Sequence, residues 1–455
     1  LDVVNPATEE VAGRIALGTS ADVDRAVAAA RTAFRTFSRT TRQERLDLLA
    51  SAKEVYMAHR QHLADALVEE LGAPARVAFE LQAGLGAWHL ETAIETLKDY
   101  PFERLVSDRT LVRFEPIGVV GMITPWNWPI NQILCKVAPA LATGNTIVHK
   151  PSEVAPFTAH IIAEILHEAG VPKGVYNLVD GLGPEVGAAI SGHPGVDMVS
   201  FTGSTRAGID VAKRAADSVK RVHQELGGKS PNVVLPSADL GRAVTENIQR
   251  LMLNSGQTCQ APTRLLVPAE RLGDAKAIAA QVATSITVGD PRGDVAMGPL
   301  VSALQYERVR KLIQTGIDEG ATLVAGGPER PAGQDKGYYI RPTVFADVTR
   351  DMTIVKEEIF GPVLVIQTYT DVDDAVAIAN DTVYGLAAFV QAATDAEAAE
   401  VGTRIDAGMI YLNGAREDPH APFGGYKMSG NGREWGRIAF GDFLETKAVI
   451  HRKAA

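Results

Sequence analysis

Beyond residue 117 the chain alternates short apolar runs, rich in Ile and Val, with longer stretches in which apolar residues return every three or four positions. The runs read as buried strands and the stretches as amphipathic helices. Strands are expected at 117–124, 146–149, 175–179 and 198–202. Helices are expected at 131–143, at 156–169, just after Gly183, and at 205–216. This rhythm is that of βαβ units, which build a mostly parallel, doubly wound sheet. After Pro231 it resumes with a strand at 232–235, a helix at 239–253, a strand at 264–267 and a helix at 272–286. A second α/β domain reaching to about 415 follows from that. Ahead of both, 21–70 reads as helical. Ser20 or Asp22 caps a run in which Val23, Val27, Ala30 and Phe34 share a face, and a second helix covers 42–59. Residues 109–114 alternate as an exposed ribbon does, 416–434 is dense in Gly and Pro, and 443–451 reads as a terminal strand.

Composition narrows the field. A chain of 455 residues is too long for one core and calls for two or three domains. Its 55 acidic and 45 basic residues give a net charge of −10, with no long basic run, which argues against a nucleic-acid partner. No apolar run approaches the roughly 18 residues of a membrane span, and no signal-peptide pattern opens the chain. Cys135 and Cys259 are the two cysteines; they form no CxxC or Cys/His cluster, so neither a disulfide framework nor a zinc site is expected, and the cytoplasm is the expected compartment. The chain starts Leu-Asp-Val-Val-Asn-Pro, without an initiator, so residues ahead of it are expected to be missing.

Several stretches carry candidate chemistry, each with a bland alternative. Cys259 lies in Asn254-Ser-Gly-Gln-Thr-Cys-Gln-Ala, among small and polar neighbours. A thiolate attacks carbonyl carbon and leaves again readily, but by residue type alone a cysteine is a small buried hydrophobe. Cys135, among Ile133, Leu134, Val137 and Ala138, reads as packing or pocket lining. Glu225 closes an apolar segment before Gly-Gly, where a strand stops. It is a candidate general base, or a capping or paired carboxylate. Asn127, in Thr124-Pro-Trp-Asn-Trp-Pro, offers a neutral donor for an oxyanion, or makes an Asx turn.

Gly203-Ser-Thr-Arg-Ala-Gly opens a helix after a strand, a setting for anion binding, although it is no P-loop. Gly181-Leu-Gly-Pro-Glu-Val-Gly misses the dinucleotide fingerprint by one residue and reads equally as a tight turn. Lys150-Pro-Ser-Glu can hold ribose hydroxyls or be a solvated turn. Glu358-Ile-Phe-Gly-Pro, ahead of a strand at 363–367, can clamp a ribose and a flat ring or be a turn. The ten histidines show no metal-ligand spacing; no metal is expected, and none is given a catalytic role.

Taken in order, these stretches resemble the aldehyde dehydrogenase superfamily. The resemblance rests on Thr124-Pro-Trp-Asn-Trp-Pro, Pro139-Ala-Leu-Ala-Thr-Gly-Asn, Lys150-Pro-Ser-Glu, Phe201-Thr-Gly-Ser-Thr, Glu225-Leu-Gly-Gly-Lys-Ser-Pro, Gly256-Gln-Thr-Cys, Gly337-Tyr-Tyr-Ile-Arg-Pro-Thr-Val, Glu357-Glu-Ile-Phe-Gly-Pro and Pro422-Phe-Gly-Gly-Tyr-Lys-Met-Ser-Gly. It spans about residues 4–451, and the 34-residue interval from Glu225 to Cys259 matches the family's.

The resemblance implies oxidation of a small-molecule aldehyde to its acid with NAD, NADP remaining possible. Cys259 is implied as the nucleophile, Glu225 as the base for deacylation, and Asn127 with the Cys259 backbone N–H as the oxyanion hole. Lys136 and Glu434 are implied as a proton relay. Lys150 and Glu153 match adenine-ribose contacts, and Ser204 with Gly203 the pyrophosphate contact. Glu358 and Phe360 match contacts to the nicotinamide ribose and ring. Ile123, Pro125, Trp126, Ser152, Gly183, Gly187, Phe201, Thr202, Leu226 and Gly227 complete the implied cofactor pocket.

The implied fold is α/β with three parts: a doubly wound NAD-binding domain (1–106 and 117–226), a second α/β catalytic domain (227–415), and a small β flap (107–116 and 430–455). The flap is for oligomerisation, giving a homodimer or homotetramer. Glu153 should repel a 2′-phosphate, favouring NAD.

Two residues depart from the family's habit: Gln260 follows the nucleophile, where a small residue is usual, and Met252 stands where an aromatic is common. Asn131, Gln132 and Cys135 at implied tunnel positions suggest a polar tunnel. The rival readings are release of the acyl group to coenzyme A, which generally goes with loss of the deacylating Glu; a non-redox thiol hydrolase, for which no partner His stands out; and an inactive scaffold, against which intact Cys259, Glu225 and Asn127 argue.

Overall fold

The computed structural model describes residues 1–452; 453–455, assigned above to the flap, lie outside the described residues. Two large sheets and one small one organise the chain. In the first sheet the strands run in the order Gly430–Asn431, Arg221–Glu225, Met198–Thr202, Val119–Ile123, Thr146–Lys150, Tyr176–Leu178. All pairs are parallel except the one made by Gly430–Asn431. Register aligns Ile123 with Lys150 and with Phe201, and Thr202 with Glu225. The C-terminal ends of four strands therefore lie along one edge, where binding residues gather in open α/β sheets.

The second sheet runs Thr322–Ala325, Thr343–Ala346, Val363–Tyr369, Arg264–Pro268, Pro231–Val234, Ala387–Gln391, Met409–Leu412, parallel but for its first strand. The chain crosses from one sheet to the other in a single short step: Glu225 ends a strand of the first and Pro231 begins a strand of the second. The loops bearing Cys259 and Glu358 precede Arg264–Pro268 and Val363–Tyr369, so they enter at the N-terminal edge of the second sheet. The two edges meet, Asn127 Nδ2 donating to Gln257 O at 3.2 Å and Gly228 N to Glu358 Oε1 at 2.9 Å.

The strand–helix alternation is observed with small shifts at element ends; the helix expected at 131–143 spans Pro129–Ala142 and that at 239–253 spans Leu240–Met252. The helix from Ser20 to Phe37 is preceded by Thr19, not capped by Ser20 or Asp22. Asp22 sits in the first turn and accepts from the Thr19 N–H at 2.8 Å. Its buried stripe is Val23, Val27, Ala30 and Phe37, with Phe34 only partly covered.

The helical segment Ala75–Asp99, which contains a π turn at Ala78–Gln82, has little sequence signature. Glycines at 84 and 86 weaken its propensity. Gly86 is there because a Cβ would lie 2.2 Å from the Tyr56 hydroxyl, so close helix packing decides this element. The flap is a three-stranded antiparallel sheet of Leu444–Ile450, Thr110–Pro116 and Glu103–Ser107. It thus begins at 103 rather than 107, and Gly430–Asn431 pairs with the first sheet rather than with the flap. Among the described residues no helix is long and apolar enough to cross a membrane, and no His/Cys/Asp/Glu group could hold a metal.

Candidate active site

Cys259 sits on a loop whose backbone is forced. Asn254, Ser255 and Gly256 adopt left-handed φ values of 54°, 56° and 72° in succession. Such a run is costly for the two non-glycine residues and persists only where the surroundings impose it. The surroundings do so here. Asn254 Nδ2 donates to the carbonyls of Asn127 (2.8 Å) and Gln257 (3.2 Å), Ser255 Oγ donates to Gly298 O (2.8 Å), and Gln257 Oε1 accepts from Val301 N (2.9 Å). Gly256 presses on the next loop, since a Cβ would lie 2.2 Å from Gly361 C. The thiol that follows is half-buried against Cys135, Leu386, Phe423 and Trp435. Burial, and then the negative charges of Glu358 and Glu225, push it well above the usual thiol range.

Asn127 is carried to this loop from the end of Val119–Ile123. Its Nδ2 donates to Gln257 O at 3.2 Å, and Trp128 Nε1 donates to Thr258 Oγ1 at 2.9 Å. A neutral amide is thus held beside the nucleophile's own backbone.

Glu225 arrives from the opposite side, at the end of its strand, and is 2% exposed. Its Oε2 has no hydrogen-bond partner. Burial and the nearby Glu434 raise its pKa, while His223 and Lys136 pull the other way. Lys136 and Glu434 are in direct contact, both buried. Burial works to raise Glu434, yet Lys136 and His223 hold it below the usual carboxylate range.

His223 was given no role on sequence grounds, yet it lies between Glu225 and Asp442. Nothing in the sequence flags it except its position two before Glu225 on a strand, which places both side chains on one face.

Of the three residues at implied tunnel positions, Asn131 bonds His89 through Oδ1 at 2.7 Å, the Cys135 thiol donates to Glu434 at 3.2 Å, and Gln132 keeps an unpartnered Oε1. Gln260 is tied, donating to Glu417 (2.6 Å) and accepting from the Tyr411 hydroxyl (3.0 Å).

The implied cofactor residues fall on the edge of the first sheet and the loops facing it. Ile123, Pro125 and Trp126 follow one strand; Lys150, Ser152 and Glu153 follow the next, with Lys150 Nζ 2.6 Å from Glu153. Phe201, Thr202, Gly203 and Ser204 end a third, and Ser204 caps Thr205–Ala215 by accepting from Ala207 N at 3.3 Å. Gly183 and Gly187 bound a π turn, and a Cβ at Gly183 would meet open space.

Leu226 and Gly227 are fixed by Ser429, whose carbonyl accepts from Leu226 N (2.9 Å) and whose Oγ donates to Gly227 O (2.6 Å). Glu358 accepts from Gly228 N at 2.9 Å, and burial pushes it up to about 7. Phe360 meets Trp126 edge-on, centroids 5.4 Å apart. A helix N-terminus, a buried unpartnered Thr202 hydroxyl, a Lys–Glu pair and Trp126 along one edge, with Phe360 from the facing loop, fit a dinucleotide.

A half-buried thiol, a neutral side-chain amide and a buried carboxylate, next to residues that fit a dinucleotide, are an arrangement suited to an oxidoreductase. The comparisons agree. The sequence profile of the aldehyde dehydrogenase family matches residues 1–449. A 3-succinoylsemialdehyde-pyridine dehydrogenase of a Pseudomonas species is 51% identical over 451 residues, covering 99% of this chain and 94% of that one. The crystal structure of a cysteine-to-alanine mutant of aldehyde dehydrogenase C from Pseudomonas syringae, in a complex with NAD+ and octanal, superposes with a TM-score of 0.98 at 50% identity, covering 99% of this chain and 93% of that one. An aldehyde dehydrogenase from Bartonella henselae also superposes at 0.98, with 43% identity and coverage of 99% and 96%. The chain belongs to the aldehyde dehydrogenase family and is an enzyme that oxidises aldehydes to acids.

Proposed function

We propose that this oxidation proceeds through Cys259, with Asn127 as oxyanion donor and Glu225 as the base for hydrolysis, using NAD+. The observation that carries the reading is the approach of these three residues, from the loop after one strand, the end of a second and the loop ahead of a third, where the two sheets meet. The Cys259 thiol gives its proton to water as its sulfur adds to the aldehyde carbonyl, and Asn127 Nδ2 and the Cys259 N–H stabilise the resulting alkoxide. A bound NAD+ supplies the hydride acceptor, which leaves the acyl group on sulfur as a thioester. Glu225 then takes a proton from water; the hydroxide attacks the thioester carbon, the C–S bond breaks and the acid departs.

The lobe built on the first sheet, residues 1–102 and 117–226, holds the dinucleotide, while 227–415 carries the nucleophile. The residues assigned to adenosine, pyrophosphate and nicotinamide in the sequence keep those roles here. Lys136 and Glu434 carry the proton of the base onward. The presence of Glu225 favours water over coenzyme A as acyl acceptor. NAD+ and octanal in the Pseudomonas syringae relative, and the semialdehyde named for the Pseudomonas relative, support this cofactor and an aldehyde with an extended tail. The Glu153 carboxylate supports NAD+ over NADP+ through repulsion of a 2′-phosphate, and Glu153→Gln is expected to raise kcat/KM for NADP+. Assembly through the flap into a dimer or tetramer, and residence in the cytoplasm with two free cysteines, complete the reading.

The test is NADH release across short, aromatic, amino- and carboxy-aldehydes. Cys259→Ala should abolish it. Glu225→Gln should leave one turnover of NADH per site and slow the hydrolysis that follows by about 10²–10⁴-fold, the usual contribution of a general base. Full turnover by Cys259→Ala refutes the mechanism, and acyl-CoA formation faster than acid release would reassign the acyl acceptor.

A further inference from the structure

The strand that ends at Glu225 places a second titratable group on the same face. The His223 ring stands between two carboxylates, with Nε2 3.4 Å from Glu225 Oε1 and Nδ1 2.8 Å from Asp442 Oδ2, the latter an ion-pair approach out of line for a hydrogen bond. The His223 and Glu225 side chains are 3% and 2% exposed, whereas Asp442 keeps 29%. Asp442 is itself held, accepting from Arg433 N at 3.1 Å.

The charges around Glu225 can be counted. From its own strand comes His223. From the helix Pro129–Ala142 come Lys136 and the Cys135 thiol, and from the C-terminal segment comes Glu434. The Cys259 thiol faces it from the loop ahead of Arg264–Pro268. Arg433 lies nearby, but its guanidinium is spent on the carbonyls of Gly425 and Gly432. Lys136 is committed to Glu434. His223 is therefore the cation in direct reach of Glu225.

We infer that His223, paired with Asp442, is a positioning residue for Glu225: its ring offsets part of the burial of the carboxylate and pins Oε1, leaving the unpartnered Oε2 turned to the hydrolytic water. The inference rests on Glu225 being the base. Burial opposes charge on His223, but Asp442 and Glu225 outweigh it and push the ring up to about 9, so it stays protonated through the neutral range. During hydrolysis the water O–H breaks, the proton goes to Glu225, and the C–S bond breaks as hydroxide adds. His223 keeps both its protons throughout.

The sign follows from the charge. Without the imidazolium, Glu225 must ionise while buried beside Glu434, so its pKa rises and the acid limb of hydrolysis moves to higher pH. The experiment follows acyl-enzyme decay by rapid quench and mass spectrometry, and the NADH burst in parallel, as functions of pH in the full-length enzyme. His223→Ala is expected to keep the burst and to shift the acid limb of decay upward by about 1–3 pH units, the effect of losing an opposite charge in contact. His223→Gln, which restores a donor without charge, should recover the high-pH plateau but keep the shifted limb. Asp442→Asn should shift the limb in the same direction by less.

An unmoved acid limb in His223→Ala or His223→Gln overturns the inference while Glu225→Gln remains slow. Unchanged acyl-enzyme decay in Glu225→Gln overturns instead the assignment of the base itself.

Discussion

At the scale of single residues the site is built from groups whose burial costs are offset by neighbours. Cys259 shows the cost most directly: its thiol is pushed up by burial and by two nearby carboxylates. Without bound cofactor its alkylation by iodoacetamide should be slow at neutral pH and should climb about tenfold per pH unit past the ordinary thiol value of about 8.5, because only the thiolate reacts. A plateau below that value would contradict the assignment. Asn127 is neutral, so it stabilises the alkoxide without burdening the resting thiol. Asn127→Ala should lower kcat by about 10²–10³-fold, as loss of one oxyanion donor does, with KM little changed. A loss confined to KM would make it a binding residue instead.

At the scale of elements, two devices bring these residues together. The first is the left-handed run before Cys259, which depends on Gly256 passing against Gly361. Gly256→Ala should displace the nucleophile and remove the NADH burst while leaving cofactor binding, followed by fluorescence, largely intact. The second is a cap supplied from a distance. The helix Phe157–Glu168 follows Pro156, which caps nothing with its side chain. Glu70, from the helix Arg60–Glu70, accepts instead from Phe157 N, from Thr158 N at 3.1 Å and from Thr158 Oγ1 at 2.8 Å. Glu70→Ala leaves those buried donors unmet and should cost about 2–4 kcal/mol, read as a lower midpoint of thermal unfolding.

For the molecule as a whole, the proposed mechanism divides the work between the two sheets, one edge presenting groups for a dinucleotide and the other the nucleophile. The flap stands apart, with Leu105 74%, Val106 52% and Ile450 67% exposed on one small antiparallel sheet. Apolar residues on an open ribbon are the edge that the proposed assembly would bury. The double change Leu105→Asp, Val106→Asp should shift the sedimentation profile to monomer; an unchanged profile would place the subunit contact elsewhere.

How far the sequence alone reached can be judged element by element. Apolar periodicity marked the strands of the first sheet and the turns after them, because a strand buried on both faces leaves a compact Ile/Val run bounded by breakers. Residues at those turns, Asn127, Lys150, Ser204 and Glu225, were therefore legible as candidates, and the order of motifs carried the chemistry. Three things waited on the fold. Gly86 sits in a helix that propensity disfavours because Tyr56 packs against it; Asn131 and Cys135 turn out to be bonded to His89 and Glu434; and His223 gains meaning only from Asp442, more than two hundred positions away. Local pattern records which face of an element is buried. It does not record which distant group a buried polar atom meets, and that pairing decides charge, orientation and proton affinity inside the site.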